Sequence, residues 1–279
     1  MWLLNPYRYT RQYSAPVSNY LDQVIAADVA AGNLLGLEDG TKTAIATFID
    51  NLIVDGYLGV TGGTISQASS IIKASCILSG ARTLAGALVP LVGTAPTNFN
   101  FVAGDYNRKT GLVGNGSTKY LNSNRNNNAD PQNSKHISVY ASANTSPSRV
   151  YIGAGGAVAG RSSLGSGPTS TFSFAVVNST ASYSCGATNV GFMGASRASS
   201  AAFTARGGGS TLSHSDPSAV SSTPTSGSIY VFARENNSSV AEIYTDARLA
   251  FYSIGESLNL ALLDARVTTL VAAFAAAIP

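Results

Sequence analysis

The stretch His136-Ile137-Ser138-Val139-Tyr140-Ala141 decides the fold: through Ser138, Val139 and Tyr140 it alternates polar and apolar side chains. Alternation of period two belongs to a strand that buries one face. Similar short runs recur between turn clusters at Arg149 to Gly153, Thr171 to Val177, Val190 to Gly194, Ser228 to Arg234 and Arg248 to Ile254. Many short strands separated by polar turns predict a β-sandwich from about Gly104 to Gly255.

On either side of this region the period changes. Ile45, Phe48, Ile49, Leu52 and Ile53 fall at helical spacing after the cap signal Asp39-Gly40-Thr41. An earlier helix is expected over Val17 to Ala31, stopped by Gly32-Asn33, and a short third one over Ala81 to Val89 before Pro90. The Gly, Ser and Thr-rich link from Gly59 to Ser70 reads as a loop. After Gly255, Leu263, Val267, Leu270, Val271, Phe274 and Ile278 form one helical face with Asn259 as cap. The expected organisation is an arm and helical attachment region over 1–103, a sandwich over 104–256 and a C-terminal docking helix over 257–279.

Composition narrows the function classes. Of 279 residues, 11% are charged, against roughly 25% in ordinary proteins, and the net charge is +3. Neither half carries the basic stripe that a nucleic-acid backbone demands. Cys76 and Cys185 are too few for a thiolate metal site or a disulfide scaffold, and are expected as two buried free thiols. The first eleven residues lack a basic segment ahead of a long apolar run, so no signal peptide is expected, and the apolar run Leu260 to Ile278 contains Asp264 and Arg266 near its start and repeats its apolar residues at helical spacing. No membrane insertion is expected.

An ordered series of segments carries a family resemblance. It begins with Ala81-Arg82-Thr83-Leu84-Ala85-Gly86-Ala87-Leu88-Val89-Pro90-Leu91-Val92-Gly93 and continues with Gly104-Asp105-Tyr106-Asn107-Arg108-Lys109-Thr110-Gly111-Leu112. Asn115-Gly116-Ser117-Thr118-Lys119-Tyr120-Leu121, Asn124-Arg125-Asn126-Asn127-Asn128, Lys135 to Tyr140 and Phe251-Tyr252-Ser253-Ile254-Gly255-Glu256 follow. The series resembles tailed-phage virion structural proteins, cyanophage-like, that carry a concanavalin A-like lectin/glucanase domain. The resemblance spans about residues 40 to 279, and the stretch Gly59 to Gly80 departs from it by its length. It implies a jelly-roll sandwich displayed on the phage particle as a tail fibre, collar, baseplate or capsid decoration component. It also implies assembly in the host cytoplasm, other virion proteins as partners, a homo-oligomer such as a trimer, and contact with host-surface glycan. The aromatic arm, with Trp2, Leu3, Leu4, Tyr7, Tyr9 and Tyr13, is the expected attachment segment.

Catalytic chemistry is sparsely provided, and no enzyme is expected. Glycan hydrolysis needs two carboxylates facing one groove, yet Asp130 and Asp216 are the only acids between Gly111 and Arg234. Glu242 and Asp246 read as solvated rim charges. His136 and His214, separated by 77 positions, make no zinc pair, and are expected in structural or surface roles. The oxygen-rich loop Asn126, Asn127, Asn128 and Asp130 has the residue types of a calcium site but reads as a polar turn. Gly153-Ala154-Gly155-Gly156 begins like a phosphate loop but places Val158 where the third glycine belongs. No Gly-x-Ser-x-Gly elbow occurs. The sequons at Asn115, Asn144, Asn178, Asn236 and Asn237 read as turns. No cofactor or metal is expected. For sugar, the available aromatic residues are Tyr120, Tyr140, Tyr151, Tyr183, Tyr230 and Tyr244, and the sequence alone does not select among them.

Overall fold

The computed structural model describes residues 13–144, 146–169 and 173–279. Helices α1 (Ala15–Ala30) and α2 (Asp39–Val54) precede strands β1 (Gly59–Thr61), β2 (Thr64–Ser66) and β3 (Ile72–Ile77), the single turn α3 (Leu84–Ala87), β4 (Pro90–Val92) and β5 (Thr97–Phe99). Then come β6 (Tyr106–Asn107), β7 (Gly111–Val113), β8 (Tyr120–Asn126), β9 (Lys135–Ala143), β10 (Val150–Ala154), β11 (Arg161–Ser166), β12 (Ser173–Ser179) and β13 (Tyr183–Gly186). The last strands are β14 (Gly191–Arg197), β15 (Phe203–Gly207), β16 (Ser210–His214), β17 (Ser228–Val231), β18 (Arg234–Glu235), β19 (Ala241–Glu242) and β20 (Arg248–Gly255), and α4 (Leu260–Ala277) closes the fold.

Two large sheets form the sandwich. One has the strand order β13-β12-β11-β10-β17-β8-β5, the other β16-β15-β14-β9-β20-β3-β4. Apart from the short contact of β18 with β10, every pairing is antiparallel. Ile137, Val139, Leu121, Ile229, Val231, Leu164 and Met193 fill the space between the sheets. The chain is thus a jelly-roll-type sandwich with a helical N-terminal region and a C-terminal helix.

The two outer faces differ. The β9/β14/β20 sheet carries the helices: Phe251, Phe192 and Ile77 share a second core with Phe48, Ile49 and Leu52 of α2 and Leu263, Val267, Leu270 and Phe274 of α4. Phe48 meets Phe251 edge to face at 5.8 Å, a contact worth about 0.5–1.5 kcal/mol beyond its burial. Asn259 caps α4 by accepting from the Ala261 and Leu262 amides, as its position predicted. The docking surface of this helix is the chain's own α2 and sheet.

Three expectations need correction. Strands β3, β4 and β5 lie inside the sheets, so the sandwich starts well before residue 104. The strand pattern Ile72-Lys73-Ala74-Ser75-Cys76 does alternate, but it is short and lies between helical segments; Ala74 and Cys76 join the sandwich core and Ile72 and Ile77 the helical core. The link Gly59 to Ser70 contains the β1–β2 hairpin, whose turn residues Gly62 and Gly63 both have positive φ, 58° and 80°. Such a two-residue turn matches strand twist and favours glycine. The third helix is a single turn, because Thr83 caps it by accepting from Gly86 N and β4 follows at once.

Candidate functional site

The uncovered end of the other sheet gathers aromatic and amide side chains. Leu121, Ile229 and Val231 face the core, so Tyr120 and Asn122 of β8 and Ser228 and Tyr230 of β17 lie on the alternate face, where Tyr230 is buried at 5% exposure and Tyr120 is partly buried. β5 adds Phe99, whose Cα pairs with Tyr120. The Phe99 and Tyr120 rings stack at 4.4 Å with 4° between planes, and Tyr230 lies 4.8 Å beyond Tyr120. Tyr244 approaches Tyr120 at 6.1 Å from the loop before β20. Burial pushes the Tyr120 and Tyr230 phenols up, with neighbouring tyrosines adding to the effect, so these hydroxyls stay protonated and able to donate. Tyr230 already donates to Ser239 O at 3.2 Å.

Amides complete the strip. Asn122 Oδ1 accepts from Asn124 N at 2.9 Å, and Asn126 Oδ1 accepts from Ser228 Oγ at 2.9 Å. Each carbonyl is occupied within the protein, which orients the side-chain NH2 for an external acceptor. Flat apolar rings beside fixed polar groups can hold a molecule with both a CH face and hydroxyls.

Of the six tyrosines named from sequence, three meet here. Tyr151 is wholly buried and donates to Asn189 O at 3.0 Å, while Tyr140 packs beneath the helical layer. Tyr183 stacks on His214 at 4.7 Å and donates to Asp216 at 2.5 Å. Burial and the Asp216 bond push its phenol up to about 12, opposite to the shift that activates a nucleophile. Phe99 falls within the 1–103 segment that the sequence places in the helical region, so no strand pattern singles it out. Of the arm, Tyr13 packs against the helical core, while Trp2, Leu3, Leu4, Tyr7 and Tyr9 lie outside the described residues.

The acids are committed elsewhere. Glu242 and Asp246, expected as solvated rim charges, are half-buried: Glu242 pairs with Arg234 at 2.6 Å, and Asp246 accepts from Ser146 Oγ at 2.6 Å. Glu235, wholly buried, accepts from Ser239 N at 2.6 Å and Gly155 N at 3.4 Å, and its backbone carbonyl takes Gly156 N. The glycine loop therefore turns these amides toward Glu235 instead of a phosphate. In the oxygen-rich loop, Asp130 binds Arg125, and the Lys135 amine donates to Asn127 O. Side-chain cations of the chain itself thus answer the Asp130 carboxylate and the Asn127 backbone carbonyl, while Asn127 Oδ1 is buried without a partner among the described residues. Among the described residues, no three His, Cys, Asp or Glu side chains cluster as metal ligands.

His136 lies inside β9 and is wholly buried, with one ring nitrogen 2.6 Å from Glu256 O and the other 2.9 Å from Ser253 Oγ. Cys76 and Cys185 are buried free thiols, and burial pushes them up to about 12 and about 11.

No protein-family model matches the chain, and no curated protein matches it. A solved sialidase from Trypanosoma rangeli, in complex with the inhibitor DANA, is similar with TM-score 0.42 and 12% identity, over 82% of this chain and 38% of that chain. The chain thus spans well under half the length of that enzyme, and a likeness at this level assigns neither activity nor substrate.

Proposed function

We propose that this chain is a structural and display protein of a tailed-phage virion that acts without catalysis. Its helical side faces neighbouring virion proteins, and the β5–β8–β17 strip faces outward, where it contacts host-surface carbohydrate. The observation that carries this reading is the difference between the two outer sheet faces: one lies under α2 and α4, the other bears the Phe99, Tyr120 and Tyr230 ladder. The family resemblance in the sequence supplies the virion setting. The commitment of Glu235, Glu242, Asp130 and Asp216 to internal partners supports a binding role over hydrolysis. Symmetric assembly, for example as a trimer, would multiply weak contacts through avidity.

Mass spectrometry of gradient-purified particles tests the reading. The protein is expected in structural amounts, and removal of residues 1–12 is expected to abolish its incorporation. Presence in infected cells but absence from particles overturns the virion role, and unchanged incorporation of the truncated chain overturns the role of the arm.

A further inference from the structure

We infer that the strip is built for uncharged pyranose chains, with Phe99 as the stacking ring and Asn122 and Asn126 as the hydroxyl-binding donors. This rests on the carbohydrate-contact reading above and narrows it to a ligand class.

Only one ring face of the ladder is open to a ligand. Tyr120 is flanked by Phe99 on one side and Tyr230 on the other, so neither of its faces is available to a ligand. Phe99 stands on β5, the edge strand of its sheet, and is 36% exposed, so the ring face away from Tyr120 is the open one. A sugar's CH face stacks on such a surface because aliphatic hydrogens meet the electron-rich ring while its hydroxyls point sideways. Those hydroxyls then need donors and acceptors within reach.

Asn122 lies two residues along β8 from Tyr120, about 7 Å at strand spacing, and directly opposite Tyr230. Asn126 follows on the same strand opposite Ser228. Both amide carbonyls are occupied, and among the described residues neither NH2 group has a partner, so both present fixed donors to hydroxyl oxygens.

Charge decides the class. The cations on β8 and beside its start are paired: Lys119 with Asp105 at 2.5 Å and Arg125 with Asp130. An acidic sugar would bring a carboxylate to a surface whose cations are already answered, and would lose hydration without gaining an ion pair. Neutral donors beside an open ring suit hydroxyls.

Affinity electrophoresis of the full chain through gels containing neutral polymers (mixed-linkage β-glucan, galactomannan, hydroxyethyl cellulose) or acidic ones (polygalacturonate, alginate) tests this. At least one neutral polymer is expected to retard the protein, with affinity changing less than twofold between low and high salt. Phe99→Leu is expected to weaken binding about tenfold, the order of one lost stacking contact, and Asn122→Ala with Asn126→Ala to weaken it further. Circular dichroism and melting confirm that each variant folds. Retardation only by acidic polymers, with strong salt dependence, overturns the neutral class while leaving carbohydrate contact standing. Neutral binding untouched by Phe99→Leu overturns the site, and no retardation by any polymer overturns both the class and the carbohydrate-contact reading.

Discussion

Lys135 and Arg197 stand directly opposite each other where β9 pairs with β14, and both side chains are wholly buried. Like charges across a strand pair repel, so each needs its own solution. Arg197 is enclosed by backbone carbonyls, donating to Val177 O at 2.9 Å, Ser199 O at 3.1 Å, Ala202 O at 3.2 Å and Ala219 O at 2.7 Å, above the Phe203 ring. Lys135 has Asn127 O as its acceptor and Asp130 as the favourable nearby charge. Burial draws its amine from 10.5 down to about 7, with Arg125 adding to the shift and Asp130 opposing it.

From this follows a dependence of stability on pH. Between about 7 and 10.5 the unfolded lysine binds a proton that the folded one has lost, so folding becomes more favourable as pH rises. Urea midpoints are expected to rise from pH 7 to pH 9, and Lys135→Met to flatten that rise. An unaltered slope in the variant would show that the amine is not its source.

Arg197 acts as a pin for the loops after β14. Arg197→Met leaves several buried carbonyls without donors, and a loss of at least about 3 kcal/mol is expected in equilibrium unfolding. Arg197→Lys should recover little, since an ammonium lacks the planar fork that reaches these separated oxygens.

On the acid side, two groups act in successive windows. Burial draws His136 down to about 4 from 6.5, so its contribution is present above 6.5 and is lost as pH falls toward 4. The Arg108 hydrogen bond holds Glu38 at about 2, below its ordinary 4.5, so its contribution persists above 4.5 and is lost from there down to about 2. Melting temperatures are expected to fall in two stages, and Glu38→Gln should shrink only the lower one, to which Asp105 and Asp216, also held below their ordinary values, contribute as well.

The helical layer and the sandwich share the Phe48–Phe251 contact, and Phe48 is 2% exposed. Phe48→Ala is expected to cost about 3–5 kcal/mol while preserving one unfolding transition. Two separated transitions in the wild-type calorimetric trace would contradict a joint core.

What the sequence displayed depended on which faces of an element meet water. α2 and α4 have one buried and one exposed side, so period 3.6 was visible in Phe48, Ile49, Leu52 and in Leu263, Val267, Phe274. β3 alternates only over Ile72 to Cys76, a run too short to stand out between two helical segments. The candidate strip depended on strand neighbours: Tyr120 and Tyr230 lie far apart in the chain yet on adjacent strands, a pairing that no local pattern encodes.

On the proposed function the molecule is two-sided, with its helices turned toward the particle and the aromatic strip turned away from it. Immunogold electron microscopy of purified particles, with antibodies raised separately against the loop 236–242 and against the outer face of α4, tests it directly. The loop antibody is expected to label intact particles and the α4 antibody only disrupted ones. Label from the α4 antibody alone on intact particles, or none from either antibody on intact and disrupted particles, would contradict it.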